Sequence, residues 1–399
     1  MRGRMEDTPP SSVNGDEITG MDDDIYFEEV DDIQLDDDDD MDEQDEEDMD
    51  PPEDHSVFAF TKHVGSVFCC DLHPDGKMAV TGGEDDKAYV WSVENGQEIM
   101  DCKGHKDSVI FVGFSFDGEF LATADMAGLI KVWKVNTKNS EVWSVVFEYE
   151  TDDLSWAQWH FGARVLVCGV QTGDIYVFKI PSGETKVLQG HNVKVECGKI
   201  FTDGVRLVAG YEDGAVKIWD LKTCALINQI PANIHEIRVT AVDTHPENNL
   251  IASISTNGKV VLSTANNGKV VGQQQVDSDL ETVAFSQDPM GYFGLGTLTG
   301  AVSIWDVARQ MVRHQCEEAD EDSRGVTKML WIKNCLVTGC LDGSVRVYEC
   351  RSGVRKAMLT GHRSAVLDLC YNDKQNIILT TSDDDTARIY KYEVNNDND

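Results

Sequence analysis

A histidine, a hydroxyl and a carboxylate recur at fixed intervals in this chain. His63 is followed by Thr81, Asp85 and Trp91, and His362 by Thr380, Asp384 and Tyr390, at the same 18, 22 and 28 residues in both sets. Alone, His63 and Asp85 are residue types that acid–base catalysis uses. Repetition argues against that role, because an enzyme needs one site. His105 and His191 also stand 28 residues ahead of Trp133 and Trp219. The sets are therefore expected to be structural tetrads that link a turn, a strand and an aromatic anchor by hydrogen bonds. The chain has no Walker-type phosphate loop, no nucleophile elbow and no His-Glu-x-x-His zinc helix. Cys335 and Cys340 stand apart from any His or Cys pair that would complete a zinc site. No enzymatic activity, cofactor or metal is expected.

The elements that position these residues follow from their period. The anchor position is Trp91, Trp133, Phe178, Trp219, Leu262, Trp305, Tyr348 and Tyr390, with successive differences of 42, 45, 41, 43, 43, 43 and 42. Gly210–Tyr211–Glu212–Asp213–Gly214–Ala215–Val216–Lys217–Ile218–Trp219–Asp220 shows the unit most clearly: a Gly-Asp-Gly turn signal, then a short β-rich run ending in Trp-Asp. A period of about 40–45 residues with these marks is the signature of a WD-repeat propeller, four strands to a blade. The fold expected is all-β, an eight-bladed WD-repeat propeller. The repeats are uneven. Repeat two has Ala127 where the turn aspartate is expected; repeat three has Glu150 and Phe178 at the histidine and tryptophan positions; repeat four has Ala209 for the strand hydroxyl. In repeat five His235 lies one residue nearer its anchor, Leu262. Repeat six keeps Trp305–Asp306 without the histidine, and repeat seven keeps Asp342 behind an acidic insertion at 317–322. Trp156 and Trp159, on the innermost strand of repeat three, are expected to pack in the core. The run at 56–61 aligns with the outermost strand that ends repeat one, and the last repeat lacks such a strand after Tyr390. The N-terminal run is expected to close the ring and cover an edge that would otherwise pair with other chains.

Residues 1–55 contain 25 acids against Arg2 and Arg4, while the whole chain has 72 acids and 34 basic residues. Subtraction leaves 47 acids and 32 basic residues, a net of −15, for residues 56–399. The division expected is an acidic disordered tail at 1–55 and the propeller at 56–399, since the tail has too little apolar surface to offset its ordering entropy. Ile25–Tyr26–Phe27 forms a short apolar island within it. The odd number of cysteines, 11, with Cys69, Cys168, Cys335 and Cys370 read as small buried hydrophobes, points to a reduced compartment. The lack of a signal core, of an apolar run near membrane length and of a glycosylation sequon points the same way. A cytoplasmic monomer is expected, with the nucleus as a further location and no membrane insertion. Binding nucleic acid directly would call for a basic surface, which a net of −15 opposes.

Beyond the repeat, Ala79–Val80–Thr81–Gly82–Gly83–Glu84–Asp85–Asp86–Lys87–Ala88–Tyr89–Val90–Trp91, Gly104–His105–Lys106–Asp107–Ser108–Val109, Gly210–Tyr211–Glu212–Asp213–Gly214, Asn267–Gly268–Lys269–Val270–Val271–Gly272 and Arg313–His314–Gln315–Cys316, together with the acidic tail, resemble the angio-associated migratory cell protein family. That family is similar to a fungal eight-bladed propeller that acts as a dedicated chaperone of a large-subunit ribosomal protein and holds its client's basic N-terminus on an acidic face. The resemblance implies a non-enzymatic platform that escorts a basic segment, here a newly made large-subunit ribosomal protein. The alternative it implies is a cytoplasmic signalling scaffold in cell migration or angiogenesis. Turns carrying the aspartate marks and segments after the Gly-His marks share one face of such a ring. The acids expected there are Glu84, Asp107, Asp152, Asp153, Glu212, Asp279 and Asp383, with Glu196 and Glu281 lining the central opening. A ring of them would focus a negative field on an Arg/Lys-rich partner.

Overall fold

The computed structural model describes residues 53–136, 143–247, 249–287, 291–316 and 325–393. Residues 1–52 of the expected tail and the acidic insertion at 317–322 lie outside the described residues. Contacts divide the chain into two units, Met1–Asp50 and Pro51–Asp399, and the repeats all fall in the second.

The described residues of that second unit form eight four-stranded antiparallel sheets, the blades of the propeller. Blade 1 runs outward through Val67–Leu72, Met78–Gly83, Ala88–Ser92 and Glu98–Asp101. The innermost strands of blades 2 to 7 are Val109–Phe114, Leu154–Trp159, Val195–Ile200, Val239–Thr244, Leu280–Phe285 and Val326–Ile332. Burial explains the sequence patterns. The second strand of each blade is sandwiched between neighbouring blades, so Met78–Gly83 and Phe120–Asp125 are buried at every residue and read as continuous small and apolar runs. An outermost strand buries one face, and Met311–Gln315 alternates exposed and half-buried residues with period two.

The core lies in the seams between blades. Val80, Val90 and Met100 of blade 1 pack against Val112, Leu121 and Trp133 of blade 2. The turn joining second and third strands needs a left-handed residue. Gly214 supplies it at φ 91°, where a Cβ would come within 2.9 Å of the carbonyls of Ala232 and Ile237. Blades 1 and 8 use Asp86 and Asp385 there, at φ 58° and 64°, a conformation aspartate tolerates better than most residues.

Blade 8 is Val366–Asn372, Ile377–Ser382 and Ala387–Lys391, completed by the N-terminal strand Phe58–Phe60. Phe58 lies opposite Ile389 and Phe60 opposite Ala387. Phe60 stacks on Trp91 of blade 1 at 4.9 Å and 5°. The chain engages blade 8 before that strand begins: His55 N–H donates to the Thr360 carbonyl at 2.9 Å, and Asp54 forms an ion pair with Arg388.

Candidate functional site

In every blade the innermost strand starts, and the second strand ends, at the same face of the ring. One backbone bond marks that face eight times: the residue after the second strand donates its N–H to the carbonyl of the residue before the first. The donors are Glu84, Met126, Gln171, Glu212, Thr256, Leu298, Leu341 and Asp383, and the acceptors Ser66, Ser108, Asp153, Lys194, Arg238, Asp279, Gly325 and Ala365. These pairs are equivalent rim positions. Five of the sixteen carry acids, Glu84, Asp153, Glu212, Asp279 and Asp383, all exposed. Asp152 and the half-buried Asp107 lie in the entry loops of the same face.

The carboxylates differ in how free they are. Glu84 accepts from Ser66 N–H at 3.1 Å. Asp383 accepts from the hydroxyls of Ser66 and of Ser364, the latter at 3.2 Å. Asp152 accepts from Thr172 Oγ1 at 3.1 Å and Asp107 from Ser108 N–H at 2.8 Å. Glu212 and Asp279 stand free of such ties among the described residues.

Each innermost strand bulges after its first residue, since Val67 pairs with Gly83 but Cys69 with Gly82, and the shift recurs in all eight blades. In blades 5 and 7 the bulged residue is Thr240 or Thr327, whose hydroxyl donates to the carbonyl of Leu280 or Val366 in the next blade. Glu196 and Glu281 occupy that position in blades 4 and 6, where blades 1, 2 and 8 have Phe68, Ile110 and Leu367 lining the opening. Lys194 lies 3.2 Å from the Glu196 carboxylate. Burial raises the pKa of the Glu281 carboxyl above the ordinary value, opposed by Arg238.

Deeper in, the opening widens to a cavity of about 420 Å³ edged by Phe111 and Trp156, with Lys328 paired to Asp368 at 3.2 Å. The innermost strand has no strand neighbour on this side, so its N–H groups need other acceptors. Asp71 accepts from Phe114 N–H at 2.7 Å, Gln158 from Ile200 N–H at 3.1 Å and Asp243 from Phe285 N–H at 2.7 Å. Each acceptor reaches the next blade. Burial pushes the Asp71 carboxyl up to about 7 against these bonds. Sequence reasoning missed these ties, because a lone Asp or Gln in a strand carries no spacing signal. The two tryptophans of blade 3 divide the work. Trp159 is buried and donates to the Gly113 carbonyl at 2.8 Å, while the half-buried Trp156 packs against the core between blades 3 and 4, over Gly169 and Gly198, and edges the cavity.

The tetrads lie beneath the rim. Trp91 Nε1 can only donate, and it donates to Thr81 Oγ1 at 3.3 Å. Thr81 therefore donates to His63 Nε2 at 3.0 Å, and His63 Nδ1–H donates to Asp85 at 3.0 Å. The His63 side chain is 0% exposed. With both nitrogens engaged, it ties turn to strand. Burial opposes ionisation of Asp85, but the His63 bond and charge outweigh it and hold the carboxyl below its usual range. His362 bonds Thr380 at 2.8 Å and Asp384 at 3.0 Å, and Asp384 is likewise held low against its burial by His362 and Thr386. Tyr390 departs from the tetrad: its buried hydroxyl has no hydrogen-bond partner among the described residues.

Three uneven repeats are more complete than their sequences suggest. In repeat two Asp125, two residues before Ala127, accepts from His105 Nδ1–H at 3.1 Å. In repeat five His235 is fully buried between Ser255 Oγ at 2.9 Å and Ser253 Oγ at 2.8 Å. In repeat seven Asp342 meets the buried Arg346, which also donates to Ser344 Oγ at 3.1 Å. Repeat four is weaker. Ala209 offers no hydroxyl, Trp219 Nε1 has no hydrogen-bond partner among the described residues, and His191 is held by Asp213 and Lys217.

The WD domain, G-beta repeat family matches residues 55–92, 96–134, 183–220 and 353–391, which include the four histidines at the 28-residue spacing. The chain is 38% identical over 358 residues to the angio-associated migratory cell protein of Homo sapiens, covering 85% of this chain and 80% of that protein. It is 25% identical over 380 residues to the ribosome assembly protein SQT1 of Saccharomyces cerevisiae, covering 85% and 87%. The crystal structure of Chaetomium thermophilum Sqt1 bound to the N-terminus of the ribosomal protein L10 superimposes with a TM-score of 0.78 at 21% identity, over 85% of this chain and 100% of that one. At that identity the likeness is one of fold.

Proposed function

The chain belongs to the angio-associated migratory cell protein family, and on that premise we propose that it is a non-enzymatic platform whose acidic face escorts a basic segment of a large-subunit ribosomal protein. The observation that carries this reading is the set of five exposed carboxylates at equivalent rim positions. A ring of like charges over a low-dielectric wall attracts an extended Arg/Lys-rich peptide from a distance and holds it by many weak contacts. The relatives support the same direction, one a ribosome assembly protein and one seen with the N-terminus of a ribosomal protein. On this reading the protein works as a cytoplasmic monomer and leaves direct contact with nucleic acid to its client.

The test is titration of an Arg/Lys-rich peptide against the wild-type chain and a Glu212→Lys, Asp279→Lys double variant. These two sites are the cleanest because neither side chain supports the rim, unlike Glu84 and Asp383. A rim charge contributes about 1 kcal/mol or less, so two reversals should weaken binding about tenfold. Affinity should also fall as salt approaches 0.1 M, where the screening length is about 10 Å. Equal affinity for both proteins, or no salt dependence, would leave the face a solvated surface. Capture of several signalling proteins in place of one basic ribosomal protein would favour the scaffold reading that the migration name suggests.

A further inference from the structure

A second site lies in the seam between blades 3 and 4, on the face of the ring opposite the acidic rim. It is a cavity of about 340 Å³. Val165, Val177 and Leu221 form its apolar wall, and three lysines, Lys179, Lys186 and Lys222, stand around it against one carboxylate, Glu184.

One position distinguishes this seam from the three that a large apolar side chain fills. In each blade, one outermost-strand residue pairs with the residue just before the anchor. At the closing seam it is Phe58, opposite Ile389, and its ring lies 5.9 Å from Trp91. Between blades 2 and 3 it is Phe147, opposite Val132, 5.2 Å from Phe178. Between blades 1 and 2 it is the buried Met100, opposite Val90. In blade 3 it is Lys186, opposite Val177. Its ammonium crosses to blade 4 and donates to the Lys222 carbonyl at 2.9 Å, so this seam holds a lysine side chain where those three hold a ring or a thioether. A polar residue here does not by itself open a seam. Blade 5 carries Gln273 there, yet Gln310 covers Gly272 and only about 10 Å³ remains.

The charges identify the missing occupant. In a chain with 72 acids and 34 basic residues, no carboxylate among the described residues forms an ion pair with Lys186 or Lys222. Lys179 meets only Glu184 at 3.9 Å, a pair more than half exposed on both sides. Val205 is 44% exposed at the mouth, and Phe161 is 54% exposed beside it, stacked on His160. We propose that this seam docks an acidic segment of a partner protein through one aromatic side chain, which takes the place that Phe58 and Phe147 hold at other seams. The flanking carboxylates of the segment meet the lysine ammoniums at the mouth. The site is separate from the acidic rim, so the two faces can hold partners of opposite charge at once.

The probe is a short synthetic peptide of aspartates and glutamates around one phenylalanine, titrated against the full chain. Three results are expected. Replacing the phenylalanine by serine weakens binding about tenfold or more, the worth of burying a ring. Lys222→Glu weakens it and removes part of its salt dependence. Lys186→Phe, which fills the seam from within as blade 2 does, abolishes binding while raising the thermal midpoint, so loss of binding cannot be ascribed to unfolding. Absence of binding to the wild type would overturn the proposal. So would binding that ignores both the peptide's phenylalanine and Lys186→Phe, since the contact would then be one of charge alone. Saturation by octanoate that excludes the peptide, with no gain for the peptide over octanoate, would assign the cavity to a small amphiphile instead.

Discussion

His235 should make this propeller sensitive to mild acid. Its two ring nitrogens face hydroxyls. Ser255 Oγ donates to Asn257 Oδ1 at 2.8 Å, and Asn257 is oriented by its own bond to the His235 carbonyl at 3.0 Å. Ser255 therefore accepts from His235 Nδ1–H, and Nε2 accepts from Ser253. A proton added at Nε2 would break that bond inside a fully buried site. Burial, with Lys259 nearby, moves the His235 pKa from 6.5 to about 4. The folded value lies below the unfolded one, so the unfolded chain binds the extra proton first. The stability from neutral His235 is complete above pH 6.5 and is lost as pH falls toward 4. At about 1.4 kcal/mol per unit, the loss is about 2 kcal/mol between pH 7 and pH 5, and about 3 kcal/mol when complete. Ser255→Asp would place a carboxylate where Asp125 serves His105, and should remove most of this loss. The assay is urea denaturation of wild type and Ser255→Asp at both pH values, with the His235 ring titrated by NMR. Parallel stability changes in the two proteins, or a His235 titration near 6.5, would refute the reasoning.

Three further outcomes are expected from the same geometry. Asp125→Ala should cost about 1–3 kcal/mol, as should Asp85→Ala, because each leaves a buried histidine N–H without its acceptor, whereas Ala127→Asp should leave the urea midpoint unchanged. Phe60→Ala should lower stability by about 3–5 kcal/mol, read from thermal or urea melts, because its ring stacks on the fully buried Trp91. Deleting residues 53–61 should uncover the edge of Ala387–Lys391 and produce concentration-dependent association, measured by light scattering; a monodisperse monomer would show that the strand is dispensable.

The eight anchors at a near-constant interval determined the blade count, and the missing outer strand after Tyr390 determined which segment closes the ring. Both are properties of period, and period is written in a linear sequence because each blade repeats one supersecondary unit. The tetrad of repeat one and the His362, Thr380 and Asp384 ties of repeat eight were legible for the same reason, as were the rim positions of the acids, which depend on where strands begin and end. Spacing misleads where one chemical role can be met from more than one position. Asp125 serves His105 from the end of a strand instead of from the turn, because a carboxylate two residues earlier still reaches Nδ1. Ser253 and Ser255 replace Thr and Asp around His235, because a neutral imidazole asks only for one donor and one acceptor. Arg346 takes the histidine's place against Asp342. The acceptors Asp71, Gln158 and Asp243 cross to the next blade, and the space at Lys186 depends on which way one ammonium turns. These were decided by the tertiary structure alone, because they rest on distances between blades, and sequence spacing fixes only distances within one.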